Sequence, residues 1–404
     1  AAMKSKPPTL PDRKNVDGLM RTAREIAQLA AKKASEIESG GRLPNELMQA
    51  LGESKLLRLL QPRYWGGYET DMPTFVRVAT EVAKGDTSTG WVFCILGVHN
   101  FWINYVEPEL QREIWGKDPA TLMADSFAPT GKAERVSGGY QVTGRWNFLS
   151  GLWCSDWVAV GALISREPKT KTEWAMMFIP KADFQPEDCW NVVGMQGSGS
   201  DSIVVDKAFV PHHRVYWLEH AEKTGHSPGR DLHPNPLYQL PFVPTLGLSL
   251  VPAAVGSARA AIEHFREWTT KRQGVYGDHE TEAAGAASTQ IALAEAVTTV
   301  DAVEGLMHHH ADELMAEYAN STKVPTSQER AKYYAWRSYI VRQSTRVVDR
   351  LFEMSGGRAL FLHHPLQRIW RDMHAICQHL ALHYESGMES YGRTLVGLSS
   401  RSPL

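Results

Sequence analysis

Cysteine is scarce in this chain. Its four residues, Cys94, Cys154, Cys189 and Cys377, are scattered over 404 positions without CxxC spacing and sit inside hydrophobic stretches. That argues against a disulfide framework or a cysteine-ligated zinc and suits reduced thiols in a cytoplasmic protein. Excess charge is also missing: 43 Lys and Arg against 45 Asp and Glu leave a formal net charge of -2. Phosphate backbones and anionic membranes exert no general pull on such a chain, so neither nucleic acid nor a membrane is an expected partner. The most apolar run, WVFCILGVHNFWINYV, is interrupted by His99, Asn100 and Asn104 and falls short of the roughly 18 uninterrupted residues of a membrane span. The first residues, AAMKSKPPTLPDRK, contain no signal-peptide core. No GxGxxG follows a strand pattern and no HExxH is present, so neither a nicotinamide site nor a metalloprotease-type metal site is expected.

What the chain does have is periodicity. Apolar residues recur at helical spacing over 16–37, 45–57, 72–83 and 88–105, and a charged helix starts near Glu107. The segment QPRYWGGYE, rich in glycine and aromatics, reads as a shaped wall between helices. From about Thr121 the pattern becomes β-like: a hairpin turn at 136–140, then GYQVTGRWNFLSG, WVAVGALIS, EWAMMFIP and SIVVDKAFVP, separated by turn residues. Helical spacing returns after a Pro- and His-rich connection and dominates 248–271, 286–319 and 328–354, ending at Gly356 and Gly357. The expected class is mainly α with a central β domain, divided at 1–120, 121–228 and 229–404. The run His308 to His310 reads as a solvated segment.

One C-terminal stretch, HHPLQRIWRDMHAICQHLALHYE, carries the densest chemistry. A continuous helix there puts Asp372, Ile376, His379 and His383 on one side. His379 is then a packed histidine, half of an i, i+4 metal pair, or a reactive group, and spacing alone leaves all three open.

GDTSTGW at 85–91, GGYQVTGRWNFLSG at 138–151 and GGRALFLHHPLQRIWRD at 356–372 resemble flavin-binding elements of the acyl-CoA dehydrogenase fold. That resemblance implies an N-terminal helical domain, a middle antiparallel β-barrel and a C-terminal four-helix bundle. LLQPRYWGG, STGWVFCILGVHN, VVGMQGSGSDSIVV and RIWRDMHA are similar, more closely, to the oxygenase components of two-component flavin-dependent monooxygenases that hydroxylate secosteroids and hydroxyphenylacetate. The resemblance implies reduced FMN (FMNH2) or FAD delivered by a separate NAD(P)H:flavin reductase, O2 as co-substrate, a C4a-hydroperoxyflavin, a small aromatic, phenolic substrate, and a homotetramer. It assigns catalysis to His379, Ser150 and His99. Ser150, Trp91, Phe127, Thr130, Trp146, Arg272, Gly356 and Gly357 would hold the cofactor; His99, Asn100, Phe148 and His379 would line the substrate site. Dehydrogenases of this fold carry a glutamate in a segment resembling RDAxxxxIYEG. Setting Arg371 and Asp372 on its RD places Leu380 at the glutamate, which leaves Glu385 as the one substitute base for an acyl-CoA dehydrogenase. Heteroatom or indole oxidation, or a flavin-binding scaffold, are the remaining alternatives. Phe361, Leu362, His363 and His364 differ from the smaller residues of the secosteroid enzymes, so the substrate stays open.

Overall fold

The computed structural model describes residues 16–165, 172–271 and 286–401. The first third folds into α1 (Val16–Gly40), α2 (Asn45–Ser54), α3 (Met72–Ala83), α4 (Thr87–Trp102) and α5 (Pro108–Trp115). Every residue of α4 is buried, because this helix has apolar neighbours on all sides, and Asp86 caps its first turn by accepting a hydrogen bond from Thr89 N at 2.8 Å.

The middle strands are β1 (Met123–Val136), β2 (Gly139–Leu149), β3 (Trp157–Ser165), β4 (Thr172–Pro180), β5 (Gln185–Glu187), β6 (Asp201–Pro211) and β7 (Val215–Tyr216). They form one seven-stranded sheet in the order β5-β6-β2-β1-β3-β4-β7. The β1–β3 pairing is parallel, so the sheet is mixed where the sequence suggested an antiparallel barrel. Parallel neighbours need a crossover, and here β2 with the turn after it supplies one while also pairing with β1 as a hairpin. A bulge between Ser126 and Gly131 interrupts β1 and re-aims the side chains on either side of it.

The last third contains α6 (Leu218–Thr224), α7 (Phe242–Ser249), α8 (Val251–Lys271), α9 (Ala287–Tyr318), α10 (Ser327–Ser355), α11 (Pro365–Ile376) and α12 (Tyr384–Leu395). Phe242–Thr270 is long and apolar enough to cross a bilayer, yet 89% of its most apolar window lies inside the protein, as expected of a core helix. The helices of the first and last thirds share one hydrophobic core, which includes Phe75, Trp91, Val255, Val300 and Leu351; the sheet keeps a second core around Val142, Trp146, Val160 and Ile203. His310 departs from the solvated reading of its segment. It is fully buried and stacks on Tyr333 with ring centroids 4.8 Å apart, since one position in three or four of α9 must face α10.

Two features place the site. The segment 194–200 threads between α1, α4 and α11 so closely that a Cβ at Gly197 would lie 2.2 Å from Ile37 and one at Gly194 2.2 Å from the Arg371 carbonyl oxygen. Meanwhile α11 stops at Ile376, and His379 opens a 3-10 turn, Leu380–Leu382. The single helix expected from 363 to 385 is therefore two helices with a bend at the histidine.

Candidate active site

At the junction of α4, the end of β2 and the segment 194–200, Trp91 Nε1 donates to Ser150 Oγ at 2.9 Å. Ser150 Oγ is 2.7 Å from Ser200 Oγ, which is 2.6 Å from Ser198 Oγ, and Ser198 Oγ donates to the Met195 carbonyl at 2.8 Å. A hydroxyl has one proton to give. Ser198 gives its own to Met195, so Ser200 must donate to Ser198 and Ser150 to Ser200. The direction of the chain is fixed, and Ser150 is left with an acceptor lone pair and no free proton.

The imidazole of His379 stands edge-on to Trp91, with ring centroids 5.3 Å apart. Its Nδ1 accepts from Ala381 N at 3.2 Å, so in the neutral ring the proton sits on Nε2. The residue is exposed in this single chain. Protein nonetheless crowds it enough that lost hydration pushes its pKa down to about 4; the charge of Arg337 acts in the same direction and that of Asp125 against it. His379 is thus a neutral N–H donor near pH 7. The turn that carries it is gripped from α10: the Tyr334 hydroxyl donates to the Leu380 carbonyl and Arg337 Nε donates to the Ala381 carbonyl at 2.7 Å. The guanidinium lies 4.5 Å from the Tyr334 ring centre.

His99, expected to meet the substrate, is 1% exposed and turned to β1. Its Nδ1 is 2.5 Å from the Met123 carbonyl oxygen, and its Nε2 is 3.0 Å from Asp125 Oδ2, an ion-pair distance, although the geometry is off the line of a hydrogen bond. Burial pushes the His99 pKa down, but Asp125 and the Met123 carbonyl outweigh it and hold the pKa above its usual value. Asn100 points elsewhere and donates to the Leu57 carbonyl at 2.7 Å. Both side chains are buried in the single chain, and His99 Nε2 and Asn100 Oδ1 have no hydrogen-bond partner there.

Phe127 stacks on Trp102 with centroids 5.1 Å apart and extends the aromatic wall beyond His99. Thr130 spends its hydroxyl on the Arg145 carbonyl at 2.9 Å. Trp146 corrects the sequence reading: it is fully buried in the core of the sheet, with Nε1 donating to the Gly161 carbonyl at 2.7 Å, so it offers no surface to a cofactor. Phe148 is 71% exposed and has a left-handed backbone with φ of 67°; it meets Trp190 edge-on at 5.9 Å. Gly356 has φ of 68°, which favours glycine, and a Cβ at Gly357 would meet open space. Arg272 lies outside the described residues. The sequence reading missed Asp125, Ser198, Ser200, Tyr334 and Arg337. The serines stood in a motif it had singled out, VVGMQGSGSDSIVV, but the others carried no local signal.

Glu385, the substitute dehydrogenase base, lies in the first turn of α12, exposed, 3.4 Å from Arg342 and 3.7 Å from His383. It is engaged there, while Leu380 occupies the position next to His379.

Family models for the acyl-CoA dehydrogenase N-terminal and C-terminal domains match residues 16–115 and 248–384. A flavin-dependent monooxygenase oxygenase subunit, HsaA, from Rhodococcus jostii is 33% identical over 95% of this chain and 97% of its own. An FADH2-dependent resorcinol hydroxylase oxygenase component from a Rhizobium strain is 28% identical over 93% of each chain. The crystal structure of the HsaA monooxygenase from Mycobacterium tuberculosis superposes with a TM-score of 0.89 at 30% identity and covers 96% of this chain and 99% of that one.

Proposed function

The chain belongs to the acyl-CoA dehydrogenase family, in its branch of flavin-dependent monooxygenase oxygenase subunits, and on that premise we propose that it hydroxylates a small phenol as the oxygenase component of a two-component system. A separate reductase supplies the reduced flavin, FMN or FAD. When bound, reduced flavin supplies the electrons that activate O2. The residues of the chain bind, orient and manage protons around it.

The observation that carries this reading is the directed chain of hydroxyls ending at Ser150. An acceptor there fits a ring nitrogen that bears hydrogen, as N5 of reduced flavin does, and would face a bare lone pair on the oxidised ring. Trp91 gives a rigid aromatic surface beside the acceptor, and His379 adds a neutral donor. A Cβ at Gly357 would meet open space, which leaves room for close approach from outside the chain. Thr130, Phe127 and Arg272 remain the proposed cofactor contacts, and Phe148 a proposed substrate contact. Leu380 cannot take a proton, which removes the α-proton abstraction that a dehydrogenase needs.

Four unpaired cysteines suit a reducing, cytoplasmic compartment. Exposed Leu360, Phe361, Leu362, Leu395 and Val396 support self-association, as a homotetramer, through the C-terminal third.

The test is to supply reduced FMN or FAD from a generic reductase under 18O2, with resorcinol, 4-hydroxyphenylacetate and other phenols. One 18O atom should enter a ring-hydroxylated product in step with oxygen uptake. Uptake that yields only hydrogen peroxide with every phenol, together with bleaching of bound oxidised flavin by an acyl-CoA, would overturn the reading.

A further inference from the structure

The site has two histidines and neither is free to take a proton. Met123 offers His99 a carbonyl oxygen, which only accepts, so Nδ1 must carry hydrogen and donate to it. The other nitrogen of His99 faces the Asp125 carboxylate at 3.0 Å. His379 has its Nδ1 lone pair on Ala381 N and presents Nε2–H.

That leaves Asp125. It stands on β1 just before the bulge that begins the FAPTG segment, and its side chain is 13% exposed. Oδ2 lies at an ion-pair distance from His99 Nε2, while Oδ1 has no hydrogen-bond partner among the described residues. Its charge acts on His379. Glu385 is engaged elsewhere.

We propose that Asp125, held by His99, is the catalytic residue that accepts the hydroxyl proton of the phenolic substrate, while Nε2–H of His379 donates to the same hydroxyl oxygen. This rests on the aromatic hydroxylase reading above and names its recognition element. A hydroxyl both gives and takes a hydrogen bond, so the pair selects a phenol over its methyl ether. As the new C–O bond forms at the ring carbon beside the hydroxyl, with oxygen delivered by the proposed reaction, the substrate O–H bond breaks. Its electron pair becomes the C=O of a dienone and its proton passes to Asp125. The proton on the attacked carbon then leaves, restoring the aromatic ring and neutralising the oxide left on the oxygen donor when its O–O bond broke, and the carbonyl oxygen regains a proton from Asp125. A carboxylate is a weak base for a resting phenol, but the hydroxyl becomes strongly acidic as the dienone forms, so the base acts at that stage.

The experiment uses the full chain without flavin and 4-nitrophenol as the probe, because its absorbance distinguishes phenol from phenolate. The charged groups bearing on the result are His99 from α4, His379 from the turn 379–382 and Arg337 from α10. Bound to the wild type, the probe should keep its proton to higher pH than in solution, and Asp125→Asn should lower that midpoint by about one unit. With reduced flavin and O2, Asp125→Asn should slow phenol hydroxylation by about 100-fold while flavin affinity holds, and Asp125→Glu should recover part of the loss. Should Asp125→Asn fail to fold, the wild type alone decides: 4-nitroanisole should compete with 4-nitrophenol at least about tenfold more weakly. An unchanged midpoint, or equal competition by the ether, overturns the proposal. A midpoint shift without hydroxylation of any phenol supports Asp125 as the phenol acceptor and sinks the hydroxylase reading instead.

Discussion

At Ser150 the chemistry turns on a single proton. Ser200 takes that proton, so Ser200→Ala should release it and let Ser150 donate. A net hydrogen bond is worth about 1 kcal/mol, so the preference for reduced over oxidised flavin should fall by about fivefold, read as the ratio of the two dissociation constants under anaerobic conditions. His379 makes a pH prediction. Its folded pKa of about 4 lies below the ordinary 6.5, so between those values the unfolded chain binds more protons than the folded one. The contribution to stability is complete above pH 6.5 and is lost as pH falls toward 4. Thermal unfolding from pH 7 to pH 4 should show a shallower acid decline in His379→Gln than in the wild type. Neither effect was legible in the sequence. Both histidines were visible as candidates, but their protonation is set by what their second nitrogen meets, and Met123, Asp125 and Ala381 reach them only through the fold.

At the scale of elements, α10 decides where the stretch from His363 to Glu385 ends its first helix. Nothing at 377–382 breaks a helix: there is no Gly or Pro, and the apolar spacing continues. The backbone turns because Tyr334 and Arg337 hold the Leu380 and Ala381 carbonyls, groups that a continuous helix would spend on later amides. The information that bends the helix therefore lies more than forty residues upstream. Arg337→Met should keep the fold, because a buried guanidinium with no carboxylate partner among the described residues costs desolvation that an apolar side chain avoids. Melting should shift by only a few degrees, while hydroxylation slows about tenfold as His379 loses its anchor. Asp372 ties α11 to the segment 194–200 by accepting from Met195 N at 2.6 Å. Burial, with the charge of Asp86, raises its pKa to about 8. The folded state thus holds a proton that the unfolded chain releases near 3.8, and stability from this group is lost as pH rises through 8. Asp372→Asn, which keeps an acceptor and cannot ionise, should flatten the decline of melting temperature between pH 6 and pH 9.

For the whole molecule, the order of helical and strand segments was readable because each has its own hydrophobic period. The long C-terminal helices begin and end within a few residues of where periodicity places them. The parallel partner of β1, 31–34 residues along the chain, and the core shared by the first and last helices were not readable, since contacts that far apart in sequence leave no local trace. The surface was partly readable: Phe361 and Leu362 were marked as unusual, and the structure leaves them 60% and 74% exposed. They lie one short turn beyond Gly356 and Gly357, so a partner that covers them also comes close to those glycines. Burying two such side chains is worth about 3–5 kcal/mol per copy, and a buried aspartate would reverse that gain. Phe361→Asp with Leu362→Asp should therefore convert a tetramer into smaller species in light scattering and weaken flavin binding in parallel, while the melting of the isolated chain changes little. If the double variant keeps both the assembly and the flavin affinity of the wild type, the exposed segment is not the contact between copies.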